Sequence, residues 1–419
     1  MVAGVRLSTV EPGVVFRVLL VATALIPRAS GSVLHIPTAA PPLLGASFEE
    51  TAAALGGTGR AKQVWAALRR GEDPLVSTEY PLGSKARFAL RSSFASPQYE
   101  VRSRTVAACG TVKLLLGLPA SGRRDRGPRG EEDDEVEAVL IPDRGGRYST
   151  LCVSSQVGCR QACSFCLTGT MGLRRNLEAH EILLQLHAAL GAAAAARMAP
   201  VRNVVFMGMG EPADNLASVE AALRAMTHPF GFALAPAHIC VSSVGPSPER
   251  IKALRGLPAR LAWSVHAADD SLRKALVPTT AHPITALRDA WADALTGAAS
   301  RGLMVEVTLI DGVNDGEEEA SRLAELLRPL PGKTRVNLIP YNANAGLGAA
   351  GELFRPSTEE AVRRFQRRLL DEHGLICTRR VARGADESAA CGQLATRERV
   401  ARRRVGSGAH GGAGENRRA

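Results

Sequence analysis

From residue 136 the chain alternates short apolar runs with longer amphipathic ones, and this alternation restricts the fold more than any other feature. "VEAVLIP", "YSTLCVSS", "VRNVVFMG", "HICVSSVG", "ARLAWSVHA", "LMVEVTLIDG" and "TRVNLIPYN" read as strands. Stretches such as "RNLEAHEILLQLHAALGAAAAARMA" and "NLASVEAALRAMTH", between most of them, read as helices. Strand–helix alternation of this length predicts a parallel α/β sheet or barrel. Reactive groups in such folds sit at the carboxyl ends of the strands.

The flanking regions read differently. Residues 47–118 are expected to form a small helical accessory domain. "SFEETAAAL" opens with a serine followed by acids, and "AKQVWAALRRG" ends on a glycine stop. Residues 119–135 hold "RRDRGPRGEEDDE", which has no apolar face and reads as a disordered insert. The core is expected to run from 136 to 396, followed by a basic, glycine-rich disordered tail over 397–419. Residues 1–46 carry Arg6, Arg17 and Arg28 with the single acid Glu11, and their apolar stretch is too short for a bilayer span. This segment reads as a targeting sequence, signal-like or transit-like. A plastid or mitochondrial address is the expectation, with the cytoplasm as the alternative if the start codon is misplaced.

Charge and cysteine usage narrow the function. Lys and Arg number 52 against 41 Asp and Glu, a formal charge of +11. That excess favours polyanionic partners, nucleic acid or an anionic membrane. Aromatic residues are only 4% of the chain, which argues against an RNA platform of stacked rings. Eight cysteines in 419 residues are too few for a secreted disulfide scaffold. Cys109, Cys240 and Cys377 read as ordinary buried thiols. "CRQACSFC" is different, because Cys159, Cys163 and Cys166 crowd one glycine-bearing loop after a strand. A structural zinc wants a fourth ligand at short spacing, and the next histidine, His180, falls inside an expected helix. Three thiolates suit a 4Fe–4S cluster with one iron left for an exchangeable ligand.

CxxxCxxC after the first strand of an α/β barrel resembles the radical S-adenosylmethionine superfamily. "LCVSSQVGC", "MGLRRNL", "FMGMGEP", "LAWSVHA", "GVNDG", "NLIPYN" and "AACGQL" follow in the order of its RlmN/Cfr family, over roughly residues 47–396. The resemblance implies a partial (β/α)6 TIM-type barrel. It implies that Cys159, Cys163 and Cys166 hold a 4Fe–4S cluster whose open iron takes S-adenosylmethionine. Gly210, Glu211, Ser242, Ser264, Val265, His266 and Asn342 match cofactor-contacting positions, with Asn337 a weaker candidate.

The same resemblance implies methylation of adenine carbon 2 in 23S-type rRNA, with tRNA left open as a second substrate. Two S-adenosylmethionines serve each turnover. Cys391 receives a methyl group, Cys152 resolves the resulting adduct by forming a disulfide, and Glu137 assists proton removal. An external flavodoxin- or ferredoxin-like electron donor, no membrane and a monomeric state are expected. The alternatives are a Cfr-like carbon-8 methyltransferase, or a non-catalytic iron–sulfur or zinc protein that binds RNA.

Overall fold

The apolar runs become strands of one sheet. A computed structural model of the protein describes residues 40–77, 82–118, 134–296, 302–344, 347, 353–381, 383–384, 386 and 388–394. Its strands are β1 (Glu100–Val106), β2 (Val112–Leu118), β3 (Asp134–Pro142), β4 (Ser149–Cys152), β5 (Gln156–Gly158) and β6 (Leu173–Asn176). They continue as β7 (Val201–Phe206), β8 (Ile239–Ser243), β9 (Arg260–Ser264), β10 (Leu303–Leu309), β11 (Arg335–Pro340) and β12 (Ile376–Arg379). Among the described residues, ten strands form one sheet in the order β1-β2-β3-β4-β7-β8-β9-β10-β11-β12, and β5 pairs only with β6. Strands β1 to β4 pair antiparallel, and every pairing from β4 to β12 is parallel.

Helices connect the parallel strands, as such pairing requires. Ala179–Ala195 precedes β7, Leu216–Thr227 precedes β8 and Pro248–Lys252 precedes β9. Ile284–Leu295 precedes β10, Glu317–Leu327 precedes β11 and Glu359–Arg367 precedes β12. Strands covered on both faces read as nearly unbroken apolar runs. Leu303, Val305, Val307 and Leu309 of β10 and Val336 and Leu338 of β11 are accordingly buried. Trp263 of β9 packs on Trp291 of the helix Ile284–Leu295, ring centroids 6.1 Å apart. The expected α/β architecture is therefore observed. Six helix-linked strands, β4 and β7 to β11, make up the parallel layer, and β12 extends it.

Three boundaries are corrected. Leu43 and Leu44 lie in the core and Leu43 N–H donates to Ala95 O at 2.9 Å, so residues 40–46 belong to the folded body rather than to a targeting segment. The remainder of that expected segment, 1–39, lies outside the described residues. Within 47–118 the helices Phe48–Ala54, Thr58–Leu68 and Ser84–Ser93 form as expected, the first with Ser47 and Glu50 as a reciprocal capping box. Residues 100–118, however, are β1 and β2 of the main sheet. The alternation of β1 and the apolar density of β2 are strand signals, satisfied by pairing β2 with β3 and β1 with β2. The described residues from Ala40 onward form one compact unit. Trp65 of the second helix packs edge-on against Phe232, ring centroids 5.7 Å apart.

Asp134 and Glu135, assigned by sequence to the insert, open β3. Glu135 is buried against Arg102 at 2.7 Å, and Asp134 pairs with Arg174 at 3.2 Å. The rest of the insert (119–133) and the tail (397–419) lie outside the described residues. Among the described residues, no helix is long and apolar enough to cross a membrane.

Candidate active site

The cysteine loop hangs from a small hairpin. β5 and β6 pair Gln156 with Asn176 and Gly158 with Leu173, and Cys159 N–H donates to Gly172 O at 3.1 Å. Gly158 adopts φ +77°, and a Cβ there would lie 1.9 Å from Gly172 O, so a side chain cannot enter this closure. The loop is anchored outward by Ser164 N–H to Leu276 O at 3.0 Å and Leu167 N–H to Gly392 O at 2.9 Å. Cys159, Cys163 and Cys166 line one cavity. Desolvation pushes the Cys159 thiol up to about 12, and desolvation with mutual repulsion holds Cys163 well above its ordinary value.

Such thiols become thiolates only beside a strong positive centre. Among the described residues, no three His, Cys, Asp or Glu groups gather tightly enough to hold one metal ion. Three thiols that line one cavity and repel one another suit a multi-iron cluster, in which each thiolate takes its own iron. The donor set therefore fits the iron–sulfur group implied by its spacing.

The strand ends supply the rest of the wall. Gly210 follows β7 with φ +100°, and a Cβ there would lie 2.6 Å from the Gln156 side chain. This close approach aims Glu211 inward. Its Oε1 accepts from Ala213 N–H at 2.9 Å and its Oε2 from Val244 N–H at 3.0 Å, while burial pushes its carboxyl up to about 7. Ser242 Oγ and Ser264 Oγ, at the ends of β8 and β9, lie 2.9 Å apart on the same cavity. Val265 is fully buried and does not line the cavity. Its N–H donates to Glu306 O at 3.0 Å, and its carbonyl accepts from Arg273.

His266 does line the cavity, at φ +61°, with its ring against Phe165 at 4.7 Å. Nδ1 accepts from Thr308 N–H at 3.2 Å, so the neutral ring carries its proton on Nε2. Burial, reinforced by Arg273, lowers this imidazole to about 3. Asn342 lines the cavity and donates from Nδ2 to Cys391 O at 3.1 Å.

The C-terminal segment brings Cys391 to the same place. After β12 the chain crosses to β3. Arg383 donates to Pro142 O at 2.9 Å, and Asp386 accepts from Ala108 N–H at 2.9 Å. It then returns over the cysteine loop, where Asn344 donates to Gly392 O at 2.9 Å, Gln393 to Ala343 O at 2.9 Å and Thr168 to Leu394 O. Cys391 lines the cavity together with the loop cysteines. Cys152, at the end of β4, lies just behind the lining, packed with Val139, Met209, Ala389 and Leu394. Burial, with Cys391 as the second cause, pushes the Cys152 thiol up to about 12. The burial that raises Cys391 is opposed by Arg380, whose Nη1 lies 3.9 Å from Cys391 Sγ.

Glu137 is buried rather than solvated. It faces the same side of β3 as Val139, the register partner of Cys152, and pairs with Lys113 Nζ at 3.2 Å.

Other sequence readings are not gathered there. Asn337 lies at the far end of β11, 3.3 Å from Glu306 Oε1, and does not reach the cluster cavity. Cys109 is exposed, because its turn between β1 and β2 lies on the surface, and Cys240 is only half-buried; Cys377 is buried as expected. Glu306 and Arg380 were missed. A lone acid in the apolar run "LMVEVTL" was a legible signal for Glu306, which is buried in the cavity wall. Arg380 had none, being one arginine in "TRRVARG".

The chain is similar to known proteins over most of its length. Residues 153–324 match the model of the radical SAM superfamily. The dual-specificity RNA methyltransferase RlmN of Geobacter sulfurreducens is 37% identical over 355 residues, 84% of this chain and 91% of the relative. Its counterpart of the same name in Anaeromyxobacter dehalogenans is 37% identical over 87% of this chain and 93% of its own. The crystal structure of a radical SAM methyltransferase from Sphaerobacter thermophilus superposes with a TM-score of 0.71 and 33% identity, covering 84% of this chain and 99% of that one.

Proposed function

The chain belongs to the RlmN family of radical SAM RNA methyltransferases, and on that premise we propose that it methylates carbon 2 of adenosine in 23S-type rRNA, with tRNA as the second candidate substrate, using Cys391 as the one-carbon carrier. The family uses a 4Fe–4S cluster and S-adenosylmethionine. The observation that carries the reading is that Cys391, far away in sequence, lines the same cavity as Cys159, Cys163 and Cys166, with Cys152 packed behind it.

Carbon 2 of adenine has no proton that a base removes directly, and it is not a nucleophile for a sulfonium methyl. Cys159, Cys163 and Cys166 would hold the cluster, whose chemistry would be the supply of a single electron that opens a radical route around this obstacle. The protein's part is placement and proton handling. Glu211 presents a buried carboxylate to an ammonium group, Ser242 and Ser264 offer paired hydroxyls, and His266 offers an N–H. Asn342 holds the backbone carbonyl of Cys391, which fixes where its sulfur stands. Arg380 favours the Cys391 thiolate, the form that attacks a sulfonium methyl. Glu137 accepts the proton that carbon 2 loses as the new bond matures. Cys152 then attacks the Cys391 sulfur, so that the RNA leaves as a disulfide forms. An external donor must reduce that disulfide and supply the electron. A plastid or mitochondrial location remains part of the proposal.

The test is anaerobic reconstitution with an rRNA fragment, followed by denaturing gels and mass spectrometry of the nucleosides. Cys152→Ala accumulates a covalent enzyme–RNA adduct, whereas Cys391→Ala yields neither adduct nor product. Methylation by Cys391→Ala would sink the two-thiol scheme, and 8-methyladenosine in place of 2-methyladenosine would move the chain to carbon-8 chemistry.

A further inference from the structure

The chamber holding Cys391 has a second mouth. The cluster cavity shares Ile339, Asn342 and Cys391 with a vestibule whose walls include Ile141, Thr150, Pro340, Arg380, Val381 and Arg383. This vestibule runs outward past Val381 and Arg383 to a surface bordered by Arg144 and Arg379. It lies between the paired strands β3 and β4, with the end of β11, and the segment that follows β12.

The two mouths differ in charge. Among the described residues, no Lys or Arg lines the cluster cavity, whose charged side chains are the carboxylates Glu211 and Glu306. That lining suits a sulfonium and an ammonium, and it repels phosphodiesters. The vestibule is the reverse, with Arg380 at its floor, Arg383 at its neck, Arg144 outside and, among the described residues, no acid along it. Arg379 is partly neutralised by Glu359. Arg383 is tied to Pro142 O by one of its five N–H donors and keeps the others. Arg144 is exposed, and no carboxylate pairs with it among the described residues. Between the arginines, Val381 exposes 48% of its surface, an apolar surface on which a flat ring can lie.

Enzymes that modify a base in RNA must take it out of the stack, so their mouth needs apolar walls for the base and cations for the flanking phosphates. Of these two mouths, as the described residues line them, the vestibule is the one that combines the two. We propose that the target nucleotide enters through this vestibule, its base against Val381 and Ile141 and its flanking phosphates on Arg144 and Arg383, while the cluster mouth is kept for S-adenosylmethionine. This entry route rests on the RNA-methyltransferase reading above and adds the residues that receive the polyanion.

The test is fluorescence anisotropy of a labelled RNA hairpin with a loop adenosine, titrated with the reconstituted full chain across a salt series. Arg144→Ala should lower the slope of log affinity against log salt by about one, as loss of one phosphate contact does. Arg144→Glu should weaken binding several-fold, with the melting temperature unchanged because the side chain is exposed and unpaired. Arg260→Glu, exposed at the opposite end of the parallel strands, should match the wild type in affinity and slope. Wild-type affinity and slope in Arg144→Glu, or a loss confined to Arg260→Glu, would overturn the entry route. Nucleoside mass spectrometry on the wild type reads the underlying function separately. If methyladenosine forms while Arg144→Glu binds normally, only the route is wrong; if none forms, the methyltransferase reading fails and the route falls with it.

Discussion

His266 holds φ +61°, a backbone conformation that non-glycine residues seldom adopt, and its ring is buried without a carboxylate partner. The lowered imidazole makes it a source of acid sensitivity. The unfolded chain takes up a proton near the ordinary histidine value, whereas the folded state resists until about 3. Stability is therefore lost as pH falls below about 6.5, by about 2 kcal/mol at pH 5. Glu211, raised to about 7, works in the opposite direction, so the comparison must be made against a variant. Asparagine tolerates the left-handed region and its Oδ1 can accept from Thr308 N–H. In chemical denaturation, His266→Asn should shrink the stability lost between pH 7.5 and pH 5 by about 2 kcal/mol; an unchanged loss would mean that the ring is protonated in the fold.

The element that assembles the site is the segment after β12. Its described residues carry no helix or strand of their own, and they are held by side-chain bonds from Asn342, Asn344 and Thr168 to the carbonyls of Cys391, Gly392 and Leu394. Each such bond contributes about 1 kcal/mol net. Asn344→Ala removes one of the two bonds that Gly392 O accepts, leaving that of Leu167 N–H, without touching the cavity lining. Iodoacetamide should then alkylate Cys391 faster than in the wild type, read by peptide mass spectrometry, with Cys377 as the buried internal reference. An unaltered rate would show that the segment is held elsewhere. The hairpin β5–β6 plays the matching part for the other three thiols. "SSQVGC" and "MGLRRNL" were legible as motifs, but their pairing across the cysteine loop depends on a register that neither run states alone.

On the scale of the whole molecule, the amino-terminal helices and the parallel sheet share one core. Trp65 is fully buried against Phe232, and Leu43, Leu44 and Leu90 lie in the same apolar body. Calorimetry should therefore show the described body melting in one transition. Trp65→Ala should lower that transition, costing about 3–5 kcal/mol; a separate low-temperature transition for the helices would mean an independent domain.

The sequence by itself determined the alternation of strands and helices, the loop of three cysteines and the strand-end groups Gly210, Glu211, Ser242, Ser264 and His266. The alternation and the cysteine loop are written in local spacing and in the period of apolar residues, whereas the strand-end groups were singled out by the resemblance to a known family. Residues 100–118 were misread because short apolar runs carry helix and strand signals together, and only pairing with β3 settles them. The meeting of Cys391 with Cys152, the turn of Glu137 into the protein and the placing of Arg380 beside a thiol were decided by tertiary structure alone. They depend on which strands become neighbours and where the chain crosses between them. That choice is made by burial of the whole apolar surface at once, not by any short stretch of sequence.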